Sequence, residues 1–199
     1  AYAQLQKQAR QLCVHVQTEG KDFHITATAP GGLSLEVGSD TITTPPLSLY
    51  GHHQAQNAAL ALMALKSSGL ATDLAAAAEG ASQADWPARV QKLKDGHLTQ
   101  LAGRTVWLDG AHNVHGARAL VASLSSLYQR KWIIVFGALD TRPADEFLSV
   151  VKPIADRIYC LTIPDQPAAH RAGKLVSHAR SLGLKADSAN DTSAACRAI

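Results

Sequence analysis

The sequence predicts an α/β protein in two parts: an α+β segment over residues 1–84, then a Rossmann-like, mostly parallel sheet over residues 85–199. Three observations predict it. Beyond Ala84 the pattern runs strand, helix, strand, helix, and three such units imply parallel strands joined by crossover helices. Trp132-Ile133-Ile134-Val135-Phe136 is a continuous apolar run, as a parallel strand covered on both faces requires. Before Ala84, short alternating runs and alanine-rich stretches replace that pattern.

Taken in order, Tyr2 to Leu12 carries its charges on one face and reads as a helix. Cys13-Val14-His15-Val16 and Phe23 to Ala27 alternate as strands. Pro30-Gly31-Gly32 is a turn, Leu33 to Val37 alternates again, and Thr41 to Thr44 leads into Pro45-Pro46. These segments predict a small antiparallel meander. Two alanine-rich helices follow, His53 to Lys66 and Thr72 to Ser82, with Gly69 as a stop between them and Thr72 as N-cap of the second. Ala84 to Arg89 breaks the helical pattern and is the expected domain boundary. Thr105 to Leu108 reads as a buried strand. The helix that starts near Asn113 places Ala117, Leu120, Val121, Leu124 and Leu127 in one apolar stripe. Ala144 to Val151 predicts a helix, Arg157 to Ile163 a strand, and Lys174 to Leu182 a further helix.

Bulk properties narrow the function. A hydrophobic content of 46% with 18% charged residues suits a globular protein, and a net charge of +3, scattered along the chain, gives no basic patch for nucleic acid. No apolar stretch is long enough to span a bilayer, and residues 1–6 lack the basic and apolar regions of a signal peptide. Cys13, Cys160 and Cys196 form no C-x-x-C pair, which suits buried thiols in a reducing compartment. A cytoplasmic monomer acting on small molecules, without nucleic acid or membrane partners, is the expectation.

The densest chemistry is Asp109-Gly110-Ala111-His112-Asn113, between the strand ending at Leu108 and the following helix. Ligands of open α/β sheets bind at the carboxyl ends of strands. Gly110 permits a tight turn and close approach, Asn113 can cap the helix, and Asp109 can accept hydrogen bonds from sugar hydroxyls. The plainer reading is that Asp109 and Asn113 only turn and cap the chain. Upstream, Gly51-His52-His53-Gln54-Ala55-Gln56-Asn57-Ala58 opens an alanine-rich helix. His53 and Asn57 there share a face, suited to an adenine or a phosphate, or simply to water. Trp86-Pro87-Ala88-Arg89-Val90-Gln91 sets an arginine just before a strand, where it can neutralise phosphate charge or pair on the surface. His112 and His115 lack further ligands at metal-site spacing, so no metal ligand is expected in this chain.

G-x-H-Q-x-x-N-A, then W-P-x-R-x-Q, then D-G-A-H-N, in that order and astride a change of pattern, resembles the folylpolyglutamate synthase and dihydrofolate synthase family of the Mur ligase superfamily. The resemblance covers most of the chain. It implies a carboxyl-terminal Rossmann-like domain of the Mur ligase type over residues 85–199, preceded by the end of the central domain over residues 1–84. It also implies ATP-dependent formation of an acyl phosphate from a pteroate or folate carboxylate, which the amine of L-glutamate then attacks. By motif position, Asn57 and His53 would contact the nucleotide, Arg89 its phosphates and Asp109 the ribose, with Asn113 close by. His112 would lie beside the nucleotide or the incoming glutamate, so Arg89 and His112 are the candidate catalytic residues.

Departures from the family pattern limit what this chain does alone. The family's phosphate loop is absent, since Gly20-Lys21-Asp22 and Gly173-Lys174-Leu175 lack the hydroxyl needed for magnesium. The Mg2+ ligands are therefore expected upstream, the chain is expected to be an inactive fragment, and a final strand is expected beyond Ile199. Ala88 stands for the usual glycine before the arginine, Val114 for the usual proline, and Arg142-Pro143 lies where the family tends to carry Lys-Asp. Two alternatives stay open: a peptidoglycan precursor ligase of the Mur type, and a non-catalytic Rossmann-like nucleotide-binding or regulatory module.

Overall fold

A computed structural model describes residues 2–70 and 73–199. The chain divides into two compact units, Ala1–Ser48 with His53–Asp85, and Leu49–His52 with Trp86–Ile199.

In the first unit, α1 (Tyr2–Gln11) buries no residue. It ends at Cys13, whose left-handed φ of 53° lets its N–H reach the Arg10 carbonyl while the Val14 N–H reaches that of Ala9. That turn corrects the expected strand over Cys13 to Val16. Val14 and Val16 are exposed and have no strand partner among the described residues. Cys13 is exposed too, against the expectation of buried thiols, whereas Cys160 and Cys196 are buried.

The expected meander forms: β1 (His24–Thr28), β2 (Gly32–Val37) and β3 (Asp40–Thr43) pair antiparallel in that order. Leu33, Leu35 and Ile42 point to the core and meet Ala59, Leu62 and Met63 of α2 (His52–Ser68). Alternation along β2 and a helical stripe on α2 thus build one apolar layer, each large side chain contributing about 1.5–3 kcal/mol. Gly69, at φ 68°, ends α2. The next helix, α3 (Leu74–Ser82), is capped by Asp73, whose carboxylate accepts from Ala75 and Ala76 N–H. The expected cap Thr72 lies outside the described residues.

The second unit begins with β4 (Gln91–Lys92), α4 (His97–Ala102) and β5 (Trp107–Leu108), with β4 and β5 antiparallel. β5 corrects the sequence reading of a four-residue buried strand. Only two residues pair, Thr105 is exposed, and Leu108 is 45% exposed. After α5 (Val114–Leu127) come β6 (Trp132–Phe136), α6 (Ala144–Val151), β7 (Ala155–Cys160), α7 (Ala172–Ser181), β8 (Ala186–Ser188) and α8 (Thr192–Arg197). β6, β7 and β8 form a parallel sheet in that order, joined by two successive crossovers through α6 and α7.

Leu148, Ile158 and Leu175 are fully buried at its centre, and Phe136 stacks on Phe147 at 5.0 Å. The α5 stripe is buried deeply only at Ala117 and Leu124; Leu120, Val121 and Leu127 are half-buried. Trp132 to Val135 are half-buried as well, short of the double cover that their apolar run predicts. A cavity of about 700 Å³, lined by Leu120 of α5, Trp107 and Leu108 of β5 and Trp132 to Phe136 of β6, accounts for the exposure of Leu120 and of the β6 run; Val121 and Leu127 do not line it. No helix among the described residues is long and apolar enough to cross a membrane.

Candidate functional site

Two loops of the second unit meet where β4 and β5 pair. One is Ala88-Arg89-Val90, leading into β4; the other is Asp109 to Asn113, leaving β5. Three backbone donors join and brace them. Gly110 N–H donates to the Ala88 carbonyl at 2.9 Å, Val90 N–H to Asp109 Oδ2 at 2.8 Å, and Ala111 N–H to Asp109 Oδ1 at 2.8 Å. Each oxygen of Asp109 therefore holds one amide, which leaves about two of its acceptor positions for hydroxyls.

Arg89 is exposed and sits between two residues of left-handed backbone, Ala88 at φ 59° and Val90 at φ 45°. Its Nη1 donates to the Ala88 carbonyl at 3.2 Å. Gly110 is glycine for a steric reason: a Cβ there would stand 3.0 Å from Arg89 Nη1. The Ala88 N–H donates to Gln91 Oε1 at 3.0 Å, so the last residue of the W-P-x-R-x-Q motif braces the loop that its arginine leaves.

His112 is exposed, and its Nδ1 lies 2.9 Å from the Gly110 carbonyl. Asn113 caps α5, its Oδ1 accepting from Gly116 N–H at 2.8 Å, so its amide nitrogen and one acceptor position of Oδ1 stay available. Arg89, Asp109, Gly110 and His112 thus converge on one place, and Asp109 also lines the 700 Å³ cavity.

A separate cluster opens α2 in the first unit. Asn57 is exposed, His53 is half-buried, and Gln54 between them is buried at 5% exposure. Asn57 Nδ2 donates to Gln54 Oε1 at 3.1 Å, and Gln54 Nε2 lies 3.1 Å from His53 Nε2. Sequence reasoning placed His53 and Asn57 on a common face but gave Gln54 no role. The available signal was a glutamine next to His53 and three residues before Asn57, within reach of both side chains. The strained residues beside Arg89 left no such mark.

Residues 89–199 match the Mur ligase, glutamate ligase domain. The chain belongs to that family. The matched stretch holds Arg89, Asp109, His112 and Asn113, and the Asn57 cluster lies ahead of it.

Among relatives of this Mur ligase chain, the dihydrofolate synthase/folylpolyglutamate synthase of Bacillus subtilis is 32% identical over 133 residues, covering 64% of this chain and 29% of that protein. The fold matches a Mycobacterium tuberculosis folylpolyglutamate synthase complexed with ADP, with TM-score 0.82 and 25% identity, over 96% of this chain and 43% of that one. A bifunctional folylpolyglutamate synthase/dihydrofolate synthase from Yersinia pestis, complexed with AMPPNP and a Mn ion, matches at TM-score 0.79 and 25% identity, over 98% of this chain and 43% of that one. The chain spans between 18% and 29% of the length of the curated relatives that it matches.

Proposed function

We propose that this chain is part of an ATP-dependent amide ligase that adds L-glutamate to dihydropteroate, to folate, or to both, through an acyl phosphate. The observation that carries the reading is the braced pair of loops around Asp109 and Arg89, within the region matched to the glutamate ligase domain. Relatives named as folylpolyglutamate and dihydrofolate synthases, and neighbours bound to ADP and AMPPNP, support the substrate class. They favour neither a peptidoglycan precursor ligase nor a non-catalytic module. Residues 1–84 are read as the end of the central domain and residues 85–199 as the carboxyl-terminal domain. The full-length enzyme is read as a cytoplasmic monomer without nucleic acid or membrane partners.

The donor set fits a nucleotide. In the second unit, an exposed guanidinium and a carboxylate with open acceptor positions match phosphate and ribose respectively. In this reading Asn57 and His53 contact the base, and Asp109 receives the ribose hydroxyls. Arg89 faces the phosphates and neutralises charge as the phosphoryl group moves. His112 stands beside the nucleotide or the incoming glutamate, and the free amide nitrogen of Asn113 adds a donor. Mg2+ is different: no group of three or more His, Cys, Asp or Glu among the described residues could hold a metal, so its ligands are assigned to the upstream part of the enzyme. What these residues supply is position, holding amine, carboxylate and phosphates where they can react.

The test is phosphate release by the full-length protein with ATP, glutamate and a folate substrate. Arg89→Ala is expected to lower kcat/KM about 10²–10³-fold, the range for losing one transition-state donor. Normal rates in an Arg89→Ala, Asp109→Ala double variant would refute the site. This chain alone is expected to show no turnover and little affinity for ATP.

A further inference from the structure

Gln54 is out of place on physical grounds. It is buried at 5% exposure in the first turn of α2, away from the face that carries Ala59, Leu62 and Met63, and an apolar residue there would avoid the cost of desolvating an amide. At the third position of a helix, glutamine commonly reaches back to the N-cap backbone. Here both ends of the side chain are instead spent on two neighbouring side chains, Asn57 and His53. Its Oε1 takes one N–H of Asn57. Its Nε2, as the donor of the second pair, makes His53 Nε2 the acceptor.

One consequence concerns Asn57. With Nδ2 donating to Gln54 Oε1, turning the exposed amide over would set two oxygens against each other, so it offers a ligand its Oδ1 and one remaining N–H in that order. Adenine presents an amino donor beside a ring acceptor. Guanine presents a carbonyl acceptor beside a ring N–H, the same two positions with polarity reversed. A freely rotating amide accepts either base, whereas a pinned amide accepts one.

We propose that Gln54 is a positioning residue that sets nucleotide specificity, by locking Asn57 in the orientation that reads adenine and rejects guanine. The proposal rests on the reading that Asn57 contacts the base. It adds a residue that touches no ligand and acts only through Asn57.

Equilibrium titration of the full-length protein with ADP and with GDP tests this without relying on turnover. Gln54→Met keeps the volume and removes the amide. It is expected to reduce the ratio of GDP to ADP dissociation constants about tenfold or more, the usual discrimination from one correctly paired base edge. Part of that change is a gain in GDP affinity, which a merely structural defect would not produce. Gln54→Glu keeps an oxygen for Asn57 Nδ2 and is expected to keep the preference. An unchanged ratio in Gln54→Met, or a lost preference in Gln54→Glu, overturns the proposal. Asn57→Ala separates the two layers. If it leaves ADP affinity unchanged, the base-contact reading fails and this proposal fails with it; if it weakens ADP while Gln54→Met leaves the ratio unchanged, only the role of Gln54 is overturned.

Discussion

Gly110→Ala isolates the orientation of Arg89 from its presence. The added Cβ would stand 3.0 Å from Arg89 Nη1 and 3.4 Å from the Ala88 carbonyl oxygen. The second contact is ordinary. Relief of the first, to the usual 3.5–4.0 Å, displaces the guanidinium by about 0.5–1 Å. Gly110 is not among the positive-φ glycines, so no backbone strain accompanies the change. Because the atom that must give way is the end of an exposed, flexible side chain, stability should fall by less than about 1 kcal/mol. Activity should fall more: in the proposed role the phosphates fix the guanidinium, and a displacement of that size from the fixed position costs roughly 10- to 100-fold. The assay is kcat/KM for phosphate release by the full-length protein, with thermal unfolding of the same samples. A double variant makes the reasoning strict, because Gly110→Ala should add almost nothing in an Arg89→Ala background. Unchanged kcat/KM in the single variant, or full additivity in the double, would refute the claim that Gly110 acts by leaving room for Arg89.

The remaining predictions concern the frame around the site. Ala88→Gly relieves a left-handed backbone at φ 59° and should stabilise the chain by up to about 1 kcal/mol in urea unfolding, since that conformation costs an alanine roughly 1–2 kcal/mol before the entropy of glycine is set against it. Asn113→Ala removes the α5 cap and should cost about 1 kcal/mol by the same measurement. Gly137→Ala places a Cβ 3.0 Å from both Ile163 Cγ1 and Leu161 Cδ1, and should cost about 1–3 kcal/mol through overpacking at the end of β6. Burial, with a smaller effect of Asp187, pushes the Cys160 thiol up to about 11 from 9.0. A group raised on folding stabilises fully below its unfolded value, so stability should decline as pH rises from about 9 towards 11. Cys160→Ala should flatten that decline in alkaline urea titrations, and equal slopes would count against it.

The parts of the fold legible in the sequence were those set by local periodicity. Alternation from Phe23 to Thr44 gave the meander, and the stripes after Asn113 and across Ala144 to Val151 gave helices close to their observed limits. The failures share a cause. Cys13 to Val16 alternates like a strand, but a strand needs a partner edge, and the helix-ending turn at Cys13 takes the N–H of Val14 first. Thr105 to Leu108 is apolar enough for a core strand, yet its burial depends on what stands beside it, and that is a cavity. α4, β8 and α8 are six residues or fewer, too short for a period to register. At the site, the residue types were readable and the hydrogen bonds were not. Asp109 was expected as a ribose acceptor, but its two backbone amides make it a brace as well.

That double duty bears on how an exposed arginine can be positioned at all. Ala88 and Val90 both adopt a conformation that side-chain-bearing residues avoid, and for a β-branched valine it is an outlier. Val90 is 3% exposed and packs into the interior, so glycine there would lose burial. The strain persists because Asp109 Oδ2 holds the Val90 N–H, Gln91 holds the Ala88 N–H, and Gly110 holds the Ala88 carbonyl. Every tie lands on the backbone to either side of Arg89, and among the described residues its guanidinium hydrogen-bonds to the carbonyl of its own neighbour, at 3.2 Å. The anchor is rigid and the charged head is free. In the proposed role, this leaves the head able to meet a phosphate while the backbone that carries it stays fixed.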